Sequence, residues 1–291
     1  MATVLSIVQE AASGLKQLSP QLVVGNDDKL VAEMLVCFNH VGWLLRRRYE
    51  WPILVRTATV TLESGQPSYA LPADFGRAIN RTHWDQGNHW ELVGPLTPQE
   101  WQYLKQGRLG NIGPRRTFRV MGQAGTKFNV FPVPGADDTG KILSFEYISE
   151  NWVLPKIWAA NTAVSFGEYR SYDGNIYTCS VMGTTSTTPP THTTGTVSDG
   201  TAGWTYYSGL YDRPLADTDT PVFDSRLMSL GVEAVWLQRN GMDFAPRMDE
   251  WQREVARELT RYTGARTLSI ASGSGGDDLV NYSNIPDSGY G

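Results

Sequence analysis

The sequence predicts an α+β fold: a helical bundle formed by N- and C-terminal helices, with an inserted antiparallel β-sandwich or barrel and a second small β module. Three observations predict it. Apolar residues recur at helical spacing near both ends, over residues 4–45 and 219–264. From Ile53 to Ile148 the period changes to two. Residues 158–208 are rich in threonine, tyrosine and Asp-Gly turns and nearly lack helix formers. The expected division is 1–52 plus 215–264 as a helical body, 53–150 as a β domain, 158–208 as an inserted module and 265–291 as an extended tail.

Thr3 is placed to cap a first helix whose apolar positions are Val4, Ile7, Val8, Ala11, Ala12 and Leu15. Asn26, Asp27 and Asp28 open a longer helix with a stripe of Leu30, Met34, Cys37, Phe38, Val41, Leu44 and Leu45. Arg46, Arg47 and Arg48 close it. Acid at the start and base at the end complement the helix dipole, and Trp51-Pro52 stops the run.

Residues Val55–Leu62 then alternate, Ser64-Gly-Gln-Pro67 turns the chain, and Ser68–Leu71 resumes. Thr117–Met121, Lys127–Phe131 and Ile142–Ile148 read as further strands separated by glycine-rich turns. Thr97-Pro-Gln-Glu100 is a capping box with proline at the first helical position, so one short helix crosses this region. A module of about fifty residues has a thin core, so 158–208 is expected to lean on its host.

Asp224 or Thr220 caps the next helix, which turns Leu227, Leu230, Ala234, Val235 and Leu237 to one face and stops at Asn240-Gly241. Pro246 starts the last helix, with Trp251, Val255, Leu259 and Tyr262 inward and Gly264 at its end. Beyond it lies a Gly/Ser-rich stretch with spaced apolar residues.

Composition narrows the function. The chain has 291 residues, 41% hydrophobic and 19% charged, which suits a folded protein rather than a disordered one. Its net charge of −5 offers no global field for nucleic acid, so a DNA role needs a local basic patch. The two cysteines, Cys37 and Cys179, fit a reducing compartment better than a disulfide framework. The N-terminus lacks a basic n-region, so no signal peptide is expected. No apolar run approaches the ~20 residues that span a bilayer, so no membrane partner is expected either.

Sites of chemistry are few. His83 and His89 share no register that would bring both rings to one ion, so they read as solvent or loop histidines, and neither metal nor cofactor is expected. Phosphate loops and nucleophile elbows are absent. Glu63, Asp74, Asp85 and Glu91 lie in the β region, and two acids at the right separation would hydrolyse glycosides. Arg46, Arg47, Arg48, Arg115 and Arg116 form the two basic runs. Their ordinary reading is a helix terminus and a solvated loop; their functional reading is weak phosphate contact in a DNA channel.

The aromatic residues Trp158, Tyr172, Tyr177 and Trp204 of the insert form either a small core or a sugar-stacking platform. With Val164-x-x-Gly167 and Asp173-Gly174, the segment resembles small carbohydrate-binding modules of the chitin-binding type. It departs from them by its Thr-rich loop, 183–202.

Three further blocks resemble tailed-bacteriophage head-to-tail adaptor proteins. The first runs from Leu35, Phe38, Asn39 and Trp43 into Tyr49-Glu-Trp51. The second comprises Tyr69-x-Leu71-Pro72-x-Asp74-Phe75, Leu96-Thr-Pro-x-Glu100-Trp101 and Phe128-x-Val130-Phe131-Pro132-x-Pro134. The third is Asp219–Arg261. That resemblance implies a structural protein of the virion, put together in the host cytoplasm, rather than an enzyme. Copies would form a dodecameric ring below the portal protein, contact a tail tube or nozzle protein, and extend the channel through which genomic DNA passes. C-terminal tails would dock on the portal, with Leu279, Val280, Tyr282 and Ile285 as apolar anchors whose contacts offset their ordering entropy. The alternative expectation is a glycan (peptidoglycan) hydrolase, or a carbohydrate-binding virion protein, acting at host entry.

Overall fold

A computed structural model describes residues 2–106, 115–122 and 127–263. Helix α1 (Val4–Gly14) starts where the sequence places it, with the Thr3 hydroxyl accepting from the Ser6 amide at 3.2 Å. Helix α2 (Lys29–Arg48) starts on Asp28, whose carboxylate accepts from the Leu30 amide at 2.8 Å. At its far end the Trp51 indole donates to the Leu45 carbonyl at 2.9 Å, satisfying one of the orphan acceptors of the last turn. Helix α3 (Pro98–Gln106) has both halves of its capping box, with Thr97 and Glu100 bonded reciprocally.

Helix α4 (Ser225–Arg239) is capped by Asp224. It is not the one-faced helix its sequence pattern suggests, because every residue from Leu227 to Trp236 is buried. The reason is its position. It packs on α1, on α2 and on α5 (Ala245–Thr263), so neighbours cover it nearly all round. The largest cluster of buried residues joins these four helices with Trp51, Leu54, Trp152, Tyr211 and Phe223. In α5, Trp251 and Val255 are buried, whereas Tyr262 is 43% exposed rather than inward.

The β region is antiparallel and lies in two sheets. One holds β1 (Val55–Thr61), β3 (Phe75–Ala78), β4 (Trp84–Asp85), β5 (Trp90–Glu91) and β8 (Ile142–Ser149). The other holds β2 (Ser68–Ala70), β6 (Thr117–Met121) and β7 (Lys127–Phe131). A second buried cluster lies between them: Ala58, Val60 and Leu62 with Tyr69, Phe118, Phe128, Val130, Leu143, Phe145 and Tyr147. Among the described residues the strands do not close, so the barrel half of the sequence expectation is corrected. Among the described residues β1 pairs only with β8, and its other edge has no partner strand.

β9 (Val153–Leu154) pairs with β17 (Thr220–Pro221). The chain leaves for 158–208 on one of these strands and returns on the other. Between them come β10 (Lys156–Ile157), β11 (Ala163–Val164), β12 (Tyr169–Tyr172), β13 (Asn175–Val181), β14 (Gly183–Thr184), β15 (Thr196–Asp199) and β16 (Ala202–Ser208). Five of them form one sheet in the order β10-β12-β13-β16-β15, and β11 pairs with β14. Asp219, just before β17, is buried and accepts from the Tyr211 hydroxyl at 2.6 Å and from the amides of Leu215 and Ala216. Asp217 accepts from the amides of Val23 and Val24, so the returning segment is tied to the α1–α2 connection. Among the described residues, no helix is long and apolar enough to cross a membrane.

Candidate functional site

The first basic run ends α2, and its three arginines meet different neighbours. Arg46 is largely buried and ion-pairs with Glu150 at 3.1 Å. Arg47 is exposed, and its guanidinium lies 4.7 Å from the ring centre of Trp43, a cation–π arrangement. Arg48 stands over Tyr49 at 5.3 Å. The β3–β8 pairing carries Gly76, Arg77 and Ile148–Glu150 to the same place, and Arg77 pairs with Glu50 at 2.8 Å. Together they form an open groove of about 320 Å³ lined by Trp43, Arg46, Arg47, Arg77 and Glu150. Trp43, half-exposed at 43%, is its apolar wall.

The second run splits. Arg115 is exposed. Arg116 is only 9% exposed, with Asp138 at 2.6 Å, Asp85 at 3.6 Å and the Pro132 carbonyl at 3.1 Å. The sequence expectation of a surface cation at Arg116 is therefore corrected: it cross-links the loop before β6 to the turns flanking β7 and β8. Arg116 holds the Asp138 carboxyl well below the usual carboxylate range, against the opposing effect of burial.

In the insert, Tyr177 and Trp204 are fully buried and have no face left for a sugar, so their expected place in a platform is corrected. Trp158 and Tyr172 pack against the same cluster of Val164, Cys179 and Ala202. The binding agent is Asp199. It accepts from Trp158 Nε1 at 2.7 Å, from Trp204 Nε1 at 2.9 Å and from the Ser186 amide at 2.7 Å. Burial pushes the Asp199 carboxyl up, but the bonds from Ser186 and the two indoles outweigh it and hold the group below its ordinary value. These aromatics build a small core of their own.

His83 lies in the loop just before β4 but does not face solvent, so the solvent reading is corrected. It is 1% exposed and stacks on Phe118 at 4.0 Å and on Phe145 at 5.2 Å between centroids. Burial pushes it down to about 4, so the ring is neutral at pH 7. Two of the four acids of the β region are also engaged. Asp74 accepts from Tyr147 and Ser149 at 2.9 and 2.6 Å, and Asp85 is buried beside Asn88 and Arg116. Cys37 and Cys179 are both buried, free thiols, and burial pushes the Cys37 thiol up to about 11. Among the described residues no group of histidines, cysteines and acids could hold a metal ion. Leu279, Val280, Tyr282 and Ile285 lie outside the described residues.

Sequence reasoning singled out the arginines but missed the groove, because Arg77 and Glu150 reach it only through the β3–β8 register. Trp43, exposed on α2 outside the apolar stripe, is the one signal in the sequence that pointed to it.

The family model of the SU10 adaptor protein matches residues 41–276, most of the chain. The chain belongs to this family. It is thus a phage structural adaptor, a component of the virion that meets other head and tail proteins. No curated protein matches it. The matched span begins at Val41 in α2, just before Trp43 and the arginine run, and includes both sheets, the insert, α4 and α5. In this adaptor, then, the groove at the α2 terminus falls within the family's own part of the chain.

Proposed function

We propose that this adaptor is a structural protein that joins the portal to the tail and prolongs the DNA channel as a ring of identical copies, a dodecamer on the family resemblance. The family match over residues 41–276 carries this reading. The residues fit a structural rather than a catalytic role, since Asp74, Asp85 and His83 are all committed to packing or hydrogen bonds.

The tail from residue 265 is the portal-binding element, with Leu279, Val280, Tyr282 and Ile285 as anchors. Spaced apolar residues in a polar segment fit a groove or a strand edge on a partner. The remaining partner on the far side is the tail tube or nozzle protein. Arg47, Arg48 and Arg115, the exposed members of the two basic runs, supply weak contact with passing DNA. Weak and non-specific attraction suits a duct, because tight phosphate binding would hold back the genome. Assembly takes place in the host cytoplasm.

The test is direct. Purified protein mixed with portal and imaged by electron microscopy should show a symmetric ring seated on the portal. Portal particles carrying no such ring would refute the reading.

A further inference from the structure

The groove at the end of α2 has a mixed character that calls for a particular occupant. Arg46 and Arg77 each have a carboxylate, Glu150 and Glu50, whereas among the described residues Arg47 has none and rests on Trp43. The surplus is one positive charge beside one exposed indole. A nucleic acid would find one unpaired cation within the groove, enough only for the weak passing contact assigned to Arg47 above and not for a resident occupant. A short peptide needs only an acid next to an aliphatic side chain.

The chain has such a peptide. Residues 277–280 read Asp-Asp-Leu-Val, the only adjacent acid pair of the segment after α5. The last turn of α5 brings Tyr262 to Trp51, ring centroids 6.3 Å apart, and Trp51 lies three residues beyond the end of α2, whose last turns line the groove. Residues 264–276, Gly/Ser-rich at their end, could span at most about 43 Å.

We infer that Asp277–Val280 docks in the groove of its own chain, the acids on Arg47 and Leu279 or Val280 against Trp43. The contact holds down two of the proposed portal anchors until a portal competes for them. It rests on the portal-binding reading only for that last consequence. Linkage makes a weak contact sufficient: with an effective concentration of about 1 mM, an intrinsic Kd of roughly 0.1 mM keeps the segment docked about nine-tenths of the time.

Hydrogen exchange on the full-length protein tests this. The amides of 277–282 should exchange about tenfold more slowly than in a free peptide of the same sequence, at the occupancy given above. Arg47→Glu should remove the protection, and adding Asp277→Arg with Asp278→Arg to that variant should restore it. Free-peptide rates in the parent protein, or protection unaffected by Arg47→Glu, would overturn the proposal. Trp43→Ala serves as a second loosening variant, and retained protection there also counts against it. A photo-crosslinker in place of Asn281, which leaves Trp43 and Arg47 in the groove, in a mixture of isotopically light and heavy protein separates the occupants: light–light and heavy–heavy links to the groove support docking within one chain, and mixed links refute it. None of these readouts involves portal, so their failure leaves the ring test untouched.

Discussion

Gly42 on α2 lies directly under the six-membered ring of Trp152, so close that a Cβ at position 42 would overlap the ring atoms Cη2, Cζ3 and Cε3. Trp152 cannot easily give way. It is 1% exposed, packs on Phe38 and Phe223, and its indole donates to the Asp212 carbonyl at 2.6 Å. This contact joins the helices to the strand pair from which the insert emerges.

Gly42→Ala should therefore destabilise the protein, although alanine is the better helix former by about 1 kcal/mol. Overpacking costs roughly 1–3 kcal/mol where a neighbour must move, and here the neighbour is a hydrogen-bonded indole. Urea denaturation followed by helical circular dichroism measures it as a lower midpoint. A midpoint equal to or above that of the parent would show that Trp152 moves freely. An exposed control glycine, Gly25, has open space where a Cβ would go but a φ of +79°, so its cost is backbone strain rather than packing.

His83 predicts an acid-labile β region. Its ordinary value is 6.5 and burial lowers it to about 4, so between these limits the unfolded chain binds a proton that the folded chain does not. Stability then rises with pH: the full contribution is present above pH 6.5 and is lost as the pH falls toward 4. The loss amounts to roughly 3 kcal/mol, at 1.36 kcal/mol per pH unit. Asp219 and Glu233 oppose it, since burial raises both carboxyls and folded states with raised carboxyls gain stability on acidification. The comparison to make is thus the slope of melting temperature between pH 4 and 6.5 in the parent and in His83→Phe. The variant should show the shallower slope, and equal slopes would remove His83 from the account.

The same residue shows where sequence reading stops. The caps Thr3, Asp28 and Asp224 announce their helices, because an N-cap acts within a few residues of itself. Strands β1, β6, β7 and β8 are legible from alternation, since each turns one face to the core between the two sheets. The short strands β3, β4 and β5 have two to four residues, too few for a period to register. β3 and β4 exist because β8 offers an edge far away in sequence, and β5 in turn pairs on β4. Whether His83 faces solvent or packs on Phe118 and Phe145 depends on that long-range pairing. So does the groove, whose Arg77 and Glu150 come from β3 and the end of β8. Arg116 is a third case: its sequence neighbours are basic, and only the fold supplies Asp85 and Asp138.

Asp199 holds the insert together, so Asp199→Ala should unfold it while leaving the helices intact. Two indole N–H groups lose a charged acceptor, each bond worth about 1.5–3 kcal/mol, in a module with a small core. Near-ultraviolet circular dichroism should lose tryptophan signal while the helical signal at 222 nm persists. Because its hydrogen bonds hold the carboxyl below its ordinary 3.8, the wild-type contribution is complete above that value and is lost as the pH falls through the lower folded value. Loss of both signals together would show that the insert and the helices unfold as one unit.

Truncation after Gly264 separates the helices from the segment assigned to portal binding. Trp251 and Val255, buried apolar residues of α5, lie well before the cut and anchor it to the core of α1, α2 and α4. The shortened chain should fold, with a melting temperature within about 4 °C of the parent, the scale of a contact worth roughly 1.4 kcal/mol in a domain of this size. It should fail to co-sediment with portal particles at concentrations where the full-length protein binds. Full binding by the shortened chain would move the portal contact onto the described surface. The groove residues Trp43, Arg47 and Arg77 would then be the first to substitute.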